Sequence, residues 1–304
     1  MPELPEITVY QERMQELLVG EVLREVRLKS HFLLRTVSPA LEDLAGSRVE
    51  SVERLGKQLV LGFSAERFAV IHLMITGRLR WKKPGAAIGA RASLMAFDFD
   101  DGTLLWTEAS SKKRSSLHLV GSRAELQAFD RGGLEVLAAT REEFAAAVQR
   151  ENRTLKRALT DPRLFSGIGN AFSDEILFRA GLSPVKLTLR LDDEQIEQLH
   201  RACVDVVTRW TEQIRAEIGT GFPDSFTALK KGMAVHGRYR EPCPQCGNRV
   251  QRIRYAENEC NYCAVCQNAG KLLADRGLSK LMGKDWPKTL EELEGRRAGE
   301  DPPH

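Results

Sequence analysis

Two Cys-x2-Cys pairs, Cys243/Cys246 and Cys263/Cys266, stand sixteen residues apart near the C-terminal end. Four thiolates at this spacing can close tetrahedrally around one Zn2+. The set leaves no open coordination position. The ion would therefore be structural, holding a hairpin too small to bury a core of its own. Cys260 is a fifth thiol three residues ahead of Cys263. Using it would break the symmetric spacing, so it reads as a bystander. Arg249, Arg252 and Arg254 lie between the two pairs, either as a phosphate-facing ribbon or as a solvated face.

A second reactive possibility is at the start, Met1-Pro2-Glu3-Leu4-Pro5-Glu6. Pro2 is small enough for Met1 to be removed after translation. The secondary amine left behind can attack a sugar aldehyde carbon and form an iminium, with Glu3 beside it as a proton carrier. The same residues also read as an ordinary helix start, with Pro5 in the first turn and acids at the positive end. A third feature is Gly167-Ile168-Gly169-Asn170 between two helical stretches. Its glycines can bring bare amides up to a phosphate. Asn170 is placed to cap the second helix and to donate its amide to the same anion.

The elements that must position these groups divide by period. An amphipathic helix with Ile7, Met14, Leu17 and Leu18 on one face is expected to end at Gly20. Short strands follow at 22–29, 49–55, 58–63, 68–73, 94–99 and 104–106. A tight connection at Gly56-Lys57 and a hairpin at Asp101-Gly102 punctuate them. Many short strands with turn punctuation suggest an antiparallel sandwich. Residues 82–87 read as an exposed loop. Helical spacing takes over at 123–129, 140–148, 154–165, 171–180 and 192–218, with Arg131-Gly132-Gly133 as the hinge. The tail after Cys266 mixes both charge signs, with one helix expected near Leu290 and a frayed end.

The 304 residues carry a net charge of +3 and no apolar run long enough to span a membrane. The acidic start does not fit a secretory signal, so a cytoplasmic, reducing compartment of bacterial, nucleoid-associated type is expected. In such a compartment clustered cysteines read as a metal site rather than as disulfides.

Taken in order, Pro2-Glu3-Leu4-Pro5-Glu6, Gly56-Lys57, His72-Leu73-Met74-Ile75-Thr76-Gly77-Arg78-Leu79, the block from Gly167 to Pro184, Val235-His236-Gly237-Arg238 and the four spaced cysteines resemble the Fpg/Nei family of base-excision DNA glycosylases. The resemblance runs from Pro2 to Gln267. It implies an α+β fold: an N-terminal helix plus antiparallel β-sandwich (1–132), a helix–two-turn–helix domain (133–234), a zinc β-hairpin (235–268) and an extra tail (269–304). It also implies a monomer that holds damaged DNA in a cleft between the two halves, with the lesion turned out of the stack. Pro2 would be the nucleophile at C1′, Glu3 the proton shuttle and Lys57 a phosphate contact that assists the chemistry. Glu6, His72, Met74, Ile75, Arg114, Lys156, Gly169, Asn170, Arg238, Arg252 and Arg254 would line the DNA. One structural Zn2+ would sit on Cys243, Cys246, Cys263 and Cys266.

The chain departs from the family in three places. Residues 107–116 replace a gap-filling segment that carries an Arg and an aromatic, and here the aromatic is gone. Asn258 stands where the zinc hairpin usually offers an Arg. The stretch from Gly219 to Met233 is short for a loop that covers an oxidised purine. Abasic-site lyase activity is therefore a safer expectation than any one base specificity. Two other readings stay open: a non-catalytic DNA-binding relative, and a zinc-stabilised module that uses its tail to dock within a larger complex.

Overall fold

The computed structural model describes residues 1–89, 91–224, 231–255, 258–274, 283, 287–290, 292, 293 and 295. The chain forms two compact units. Unit 1 is Met1–Gly133 with Thr208–Ala228, and unit 2 is Leu134–Val207 with Leu229–His304. No helix among the described residues is long and apolar enough to cross a membrane.

Unit 1 opens with α1 (Leu4–Leu18), whose Ile7, Tyr10, Met14 and Leu18 are buried at helical spacing. Gly20 follows it in the left-handed region. The strands are β1 (Glu25–Leu28), β2 (Val49–Leu55), β3 (Gln58–Phe63), β4 (Arg67–His72), β5 (Gly77–Lys82), β6 (Ser93–Asp98), β7 (Thr103–Glu108) and β8 (Ser116–Val120). They form two four-stranded sheets, β1-β6-β7-β5 and β2-β3-β4-β8. Neighbouring strands in both sheets pair antiparallel. The core between α1 and the sheets holds Leu59, Leu61, Ile71, Leu79, Phe97 and Trp106.

Two strands were not read from the sequence. Half of β5 lies inside a motif, and its last residue, Lys82, opens the stretch expected to be a loop. β8 follows a Ser/Lys-rich run that hides it, and its pairing with β4 is long-range. The Asp101-Gly102 hairpin is present, but its glycine is required by packing. A Cβ there would stand 2.2 Å from the Trp81 ring.

Unit 1 is completed by α2 (Arg123–Gln127). Unit 2 contains α3 (Arg141–Gln149), α4 (Leu155–Thr160) and α5 (Asn170–Arg179). The long helix α6 (Asp193–Ile218) contributes residues to both units. Unit 2 ends in the hairpin β9 (Gln251–Tyr255) and β10 (Asn258–Tyr262), followed by α7 (Ala264–Asn268). The α4 helix is half the expected length. Asp161 takes an extended conformation at its C-cap, just ahead of Pro162. The expected helix near Leu290 begins there, whereas the frayed end lies outside the described residues.

Candidate active site and nucleic-acid interface

Unit 1 gathers acids and bases around the start of the chain. Pro2 is buried, and Glu3 and Glu6 are only 4 % and 5 % exposed. Glu3 is the N-cap of α1, and its backbone N–H donates to Glu6 Oε2 at 3.0 Å as part of a capping box. The amino group at this end belongs to Met1. Burial holds it below its usual value near 8.0. Glu3 and Glu6 oppose that shift, while Arg78 and Lys57 add to it. Carboxylates and cations thus share one field around the terminal amine.

Lys57 sits in the two-residue turn between β2 and β3, where Gly56 takes φ +60°. His72 closes β4. Burial, then Lys57 and His118, bring its imidazole down to about 4, so it is neutral at physiological pH. After it, Met74 turns the chain at φ +51°, and Ile75 stands out with 49 % exposure. The turn closes through the Gly77 N–H on the Leu73 carbonyl at 2.9 Å. A Cβ on Gly77 would lie 2.2 Å from that oxygen, so no other residue fits without displacing backbone.

Glu108, at the end of β7, organises the segment that departs from the family. It is 1 % exposed and accepts from the backbone N–H groups of Arg114, at 3.0 and 3.1 Å, and Ser115, at 3.2 Å. The Thr76 hydroxyl donates to it at 3.4 Å, and the Ser115 hydroxyl donates to Leu73 O at 3.1 Å. One carboxylate therefore ties segment 109–115 to the turn that presents Ile75. The Arg114 backbone is fixed while its side chain is exposed.

In unit 2, Gly167 takes φ +76°, and Gly169 in extended geometry is the N-cap of α5. Asn170 is therefore the first helical residue rather than the cap, which corrects the sequence expectation. Its side-chain amide donates to the Glu259 carbonyl of β10 at 2.9 Å. Lys156 is 9 % exposed. Its ammonium donates to the Asn170 carbonyl at 2.6 Å and to Asp174. Both side chains brace the turn from within.

The sequence reading missed the two acids behind this arrangement. Asp174 is fully buried. One of its oxygens takes Lys156; the other lies 2.8 Å from His236 Nδ1 and accepts the Asn261 N–H at 3.1 Å. Glu175 accepts the backbone N–H groups of Ala234, Val235 and His236 at 2.8–2.9 Å. Asn261 in turn accepts the Gly237 N–H through its side chain. A signal was available. Phe172, Ile176, Leu177 and Phe178 share α5 with the two acids, so apolar residues cover much of this helix.

The four cysteines do converge. Their Sγ atoms lie within 4.8 Å of one another, with Cys243 to Cys266 at 3.8 Å and Cys246 to Cys263 at 3.5 Å. Thiolates about 2.3 Å from a tetrahedral zinc would be roughly 3.8 Å apart. For Cys246, burial works upward, but Asn248 and the neighbouring thiols bring it down to about 7. Burial and its neighbours push Cys263 up to about 11. Crowded sulfurs that resist joint ionisation are a donor set suited to a divalent cation. Cys260 stays apart from the cluster, buried beside Asp174, and burial raises its thiol further.

The hairpin arginines share one face. The Arg252 guanidinium lies 4.2 Å over the Tyr239 ring and 3.5 Å from Glu259. Arg254 is exposed. Arg238 pairs with Glu241 at 2.7 Å and donates to Met233 O at 3.2 Å.

Residues 1–113 match the sequence model of the formamidopyrimidine-DNA glycosylase N-terminal domain, and residues 135–220 match that of its H2TH domain. Formamidopyrimidine-DNA glycosylase from Laribacter hongkongensis is 30 % identical over 286 residues, covering 88 % of this chain and all of that one. The Thermus thermophilus protein of the same name is 31 % identical over 282 residues, covering 89 % and 100 %. Among solved structures, Lactococcus lactis Fpg in complex with abasic-site DNA superposes with a TM-score of 0.77 at 22 % identity. It covers 88 % of this chain and 99 % of that one, which establishes a shared fold.

Proposed function

The chain belongs to the formamidopyrimidine-DNA glycosylase family, and from that premise we propose that Pro2, Glu3 and Lys57 carry its chemistry on damaged DNA. The activity is that of a bifunctional DNA glycosylase and AP lyase. The carrying observation is the amino terminus, buried beside Glu3 and Glu6 and within the fields of Arg78 and Lys57. A terminal amine in this field keeps a larger neutral fraction than a solvated one, and neutral amine is the nucleophile.

Removal of Met1 leaves Pro2 with a secondary amine. Its nitrogen attacks C1′ of the everted nucleotide, and the C1′–base bond breaks as the base leaves with a proton. Loss of a proton from nitrogen and opening of the sugar give an iminium between Pro2 and C1′. That cation acidifies C2′. Glu3, in the role of general base, takes a C2′ proton, and the 3′ phosphate departs by β-elimination. A second elimination releases the 5′ phosphate, and hydrolysis frees Pro2. Lys57 contributes positive charge at the adjacent phosphate, and neutral His72 adds a hydrogen-bonding group without a second charge. Glu6 holds the Glu3 backbone in place.

DNA lies against Ile75 and Arg114 in unit 1, and against the Gly169–Asn170 turn, Arg238, Arg252 and Arg254 in unit 2. Met74 shapes the turn, and Lys156 supports the Gly169–Asn170 amides from behind. Cys243, Cys246, Cys263 and Cys266 hold one Zn2+, which supplies a structural cross-link to the hairpin. Segment 109–115 carries no aromatic residue, so discrimination of the opposite base is weak and abasic DNA is the reference substrate. The protein acts as a monomer in the cytoplasm, at the nucleoid.

Borohydride trapping on an abasic-site oligonucleotide, followed by peptide mapping of the adduct, tests this reading. The DNA should be attached to the N-terminal peptide at Pro2, in protein whose intact mass shows Met1 removed. Attachment to Lys57, or an adduct on protein that retains Met1, would overturn the assignment.

A further inference from the structure

The zinc hairpin has a second face that the family resemblance leaves unexplained. In β9 and β10, Gln251 pairs with Tyr262 and Ile253 with Cys260, so these four share one face of the ribbon, opposite Arg252. All four are at least 95 % buried. Two strands alone cannot bury a face, and an isolated two-stranded hairpin is marginal in water.

Part of the cover comes from beyond the metal cluster. Leu290, 6 % exposed, forms one cluster with Ile253, Tyr262 and Ala264, and Leu272 and Leu273 pack against it. The chain returns to make this contact. Lys271 and Thr289 form an antiparallel bridge, the Leu272 N–H donates to the Lys288 carbonyl at 2.8 Å, and the Leu290 N–H to the Gly270 carbonyl at 3.3 Å. The Leu273 N–H donates to the Tyr262 hydroxyl at 2.8 Å. The return is also locally encoded. Thr289 Oγ1 accepts the Glu292 N–H at 3.2 Å, and the Glu292 carboxylate accepts the Lys288 N–H at 2.7 Å, which starts a helical turn at Leu290.

We propose that this C-terminal segment is a metal-independent brace for the ribbon, with Leu290 as the positioning residue that holds Arg252 and Arg254 in their DNA-binding arrangement. The brace works through β9 and β10 rather than by touching DNA. For its DNA readout the proposal rests on the function proposed above. For its effect on the ribbon it stands alone.

The test compares full-length wild type, Leu290→Asp and Leu290→Met by amide hydrogen exchange and by binding to a duplex with a reduced abasic-site analogue. Leu290→Asp should speed exchange across residues 251–255 and 258–262 by about tenfold or more, with α1 to β4 unchanged. It should also weaken DNA binding by about tenfold and flatten its salt dependence as arginine contacts are lost. Trapping at saturating DNA should keep its rate, and Leu290→Met should restore all three readouts. Should Leu290→Asp fail to accumulate as folded protein, Leu290→Ala carries the same test at about two- to fivefold amplitude. Unchanged exchange in the ribbon would overturn the brace and leave the tail free to dock a partner. Faster exchange with unchanged DNA affinity would overturn the positioning role. If wild type fails to bind the duplex, the proposed function fails, while the exchange result still decides the brace.

Discussion

Both units bury carboxylates in or beside a helix, and they use them differently. In unit 1, Glu3 and Glu6 surround an amine, and Glu108 holds a segment by its backbone. In unit 2, Asp174 joins α4, α5, His236 and β10, and Glu175 holds the turn at 234–236 by its backbone. Acids that adjust the field of a reactive group belong to chemistry. Acids whose oxygens are all taken by donors belong to scaffolding, because removing them leaves buried donors unsatisfied. Variants at Pro2 and Glu3 in unit 1 should therefore change the rate of the bond-making step. Those in unit 2 should change how tightly DNA is held.

The largest separation is expected from Pro2→Gly, which keeps a terminal amine but replaces the secondary amine with a primary one. Adduct formation should fall by about a hundredfold or more with DNA affinity nearly unchanged, read by trapping and by titration of an uncleavable duplex. Glu3→Gln should follow, with strand cleavage down by about 10²–10⁴ and binding retained. Full cleavage by that variant would remove Glu3 from the proton path. On the other side of the comparison, Asp174→Ala should leave Lys156, His236 and the Asn261 N–H without their acceptor. DNA affinity should drop about tenfold or more, and thermal unfolding should come earlier. Chelation of the metal should loosen the hairpin and weaken binding, with the trapping rate at saturating DNA preserved.

The smallest expected effect is a pH slope in unit 1. His72 titrates near 4 when folded and near 6.5 when free. Between these values the unfolded chain binds a proton that the folded chain refuses. Stability therefore rises with pH across that window and is lost as pH falls from 6.5 toward 4. Unfolding midpoints measured from pH 4 to 7 should show a shallower slope in His72→Asn. An identical slope would mean that another group, such as His118, carries the effect.

What could be read from the sequence follows the range of the interactions. The cysteine spacing and the Gly56-Lys57 turn are local, so the four-cysteine cluster and the β2–β3 hairpin were legible. The strand β8 was not, because its partner β4 is more than forty residues away and its own start is Ser/Lys-rich. Asn170 was misread as a cap because capping preference is local, whereas its amide goes to Glu259, 89 residues on. Asp174 and Glu175 drew no reading from the sequence, because the backbone groups they hold, at Ala234 and Asn261 for example, are 59 and 87 residues on. The helix start near Leu290 was legible because Thr289 and Glu292 encode it locally, whereas the packing of Leu290 on Ile253 and Tyr262 is long-range and was not.

The most direct test of this division of labour is single-turnover borohydride trapping over a range of abasic DNA concentrations, with Pro2→Gly and Asp174→Ala side by side. The account predicts that Asp174→Ala reaches the wild-type plateau rate at higher DNA concentration, while Pro2→Gly stays near zero at every concentration. A lowered plateau for Asp174→Ala, or a wild-type plateau for Pro2→Gly, would contradict it.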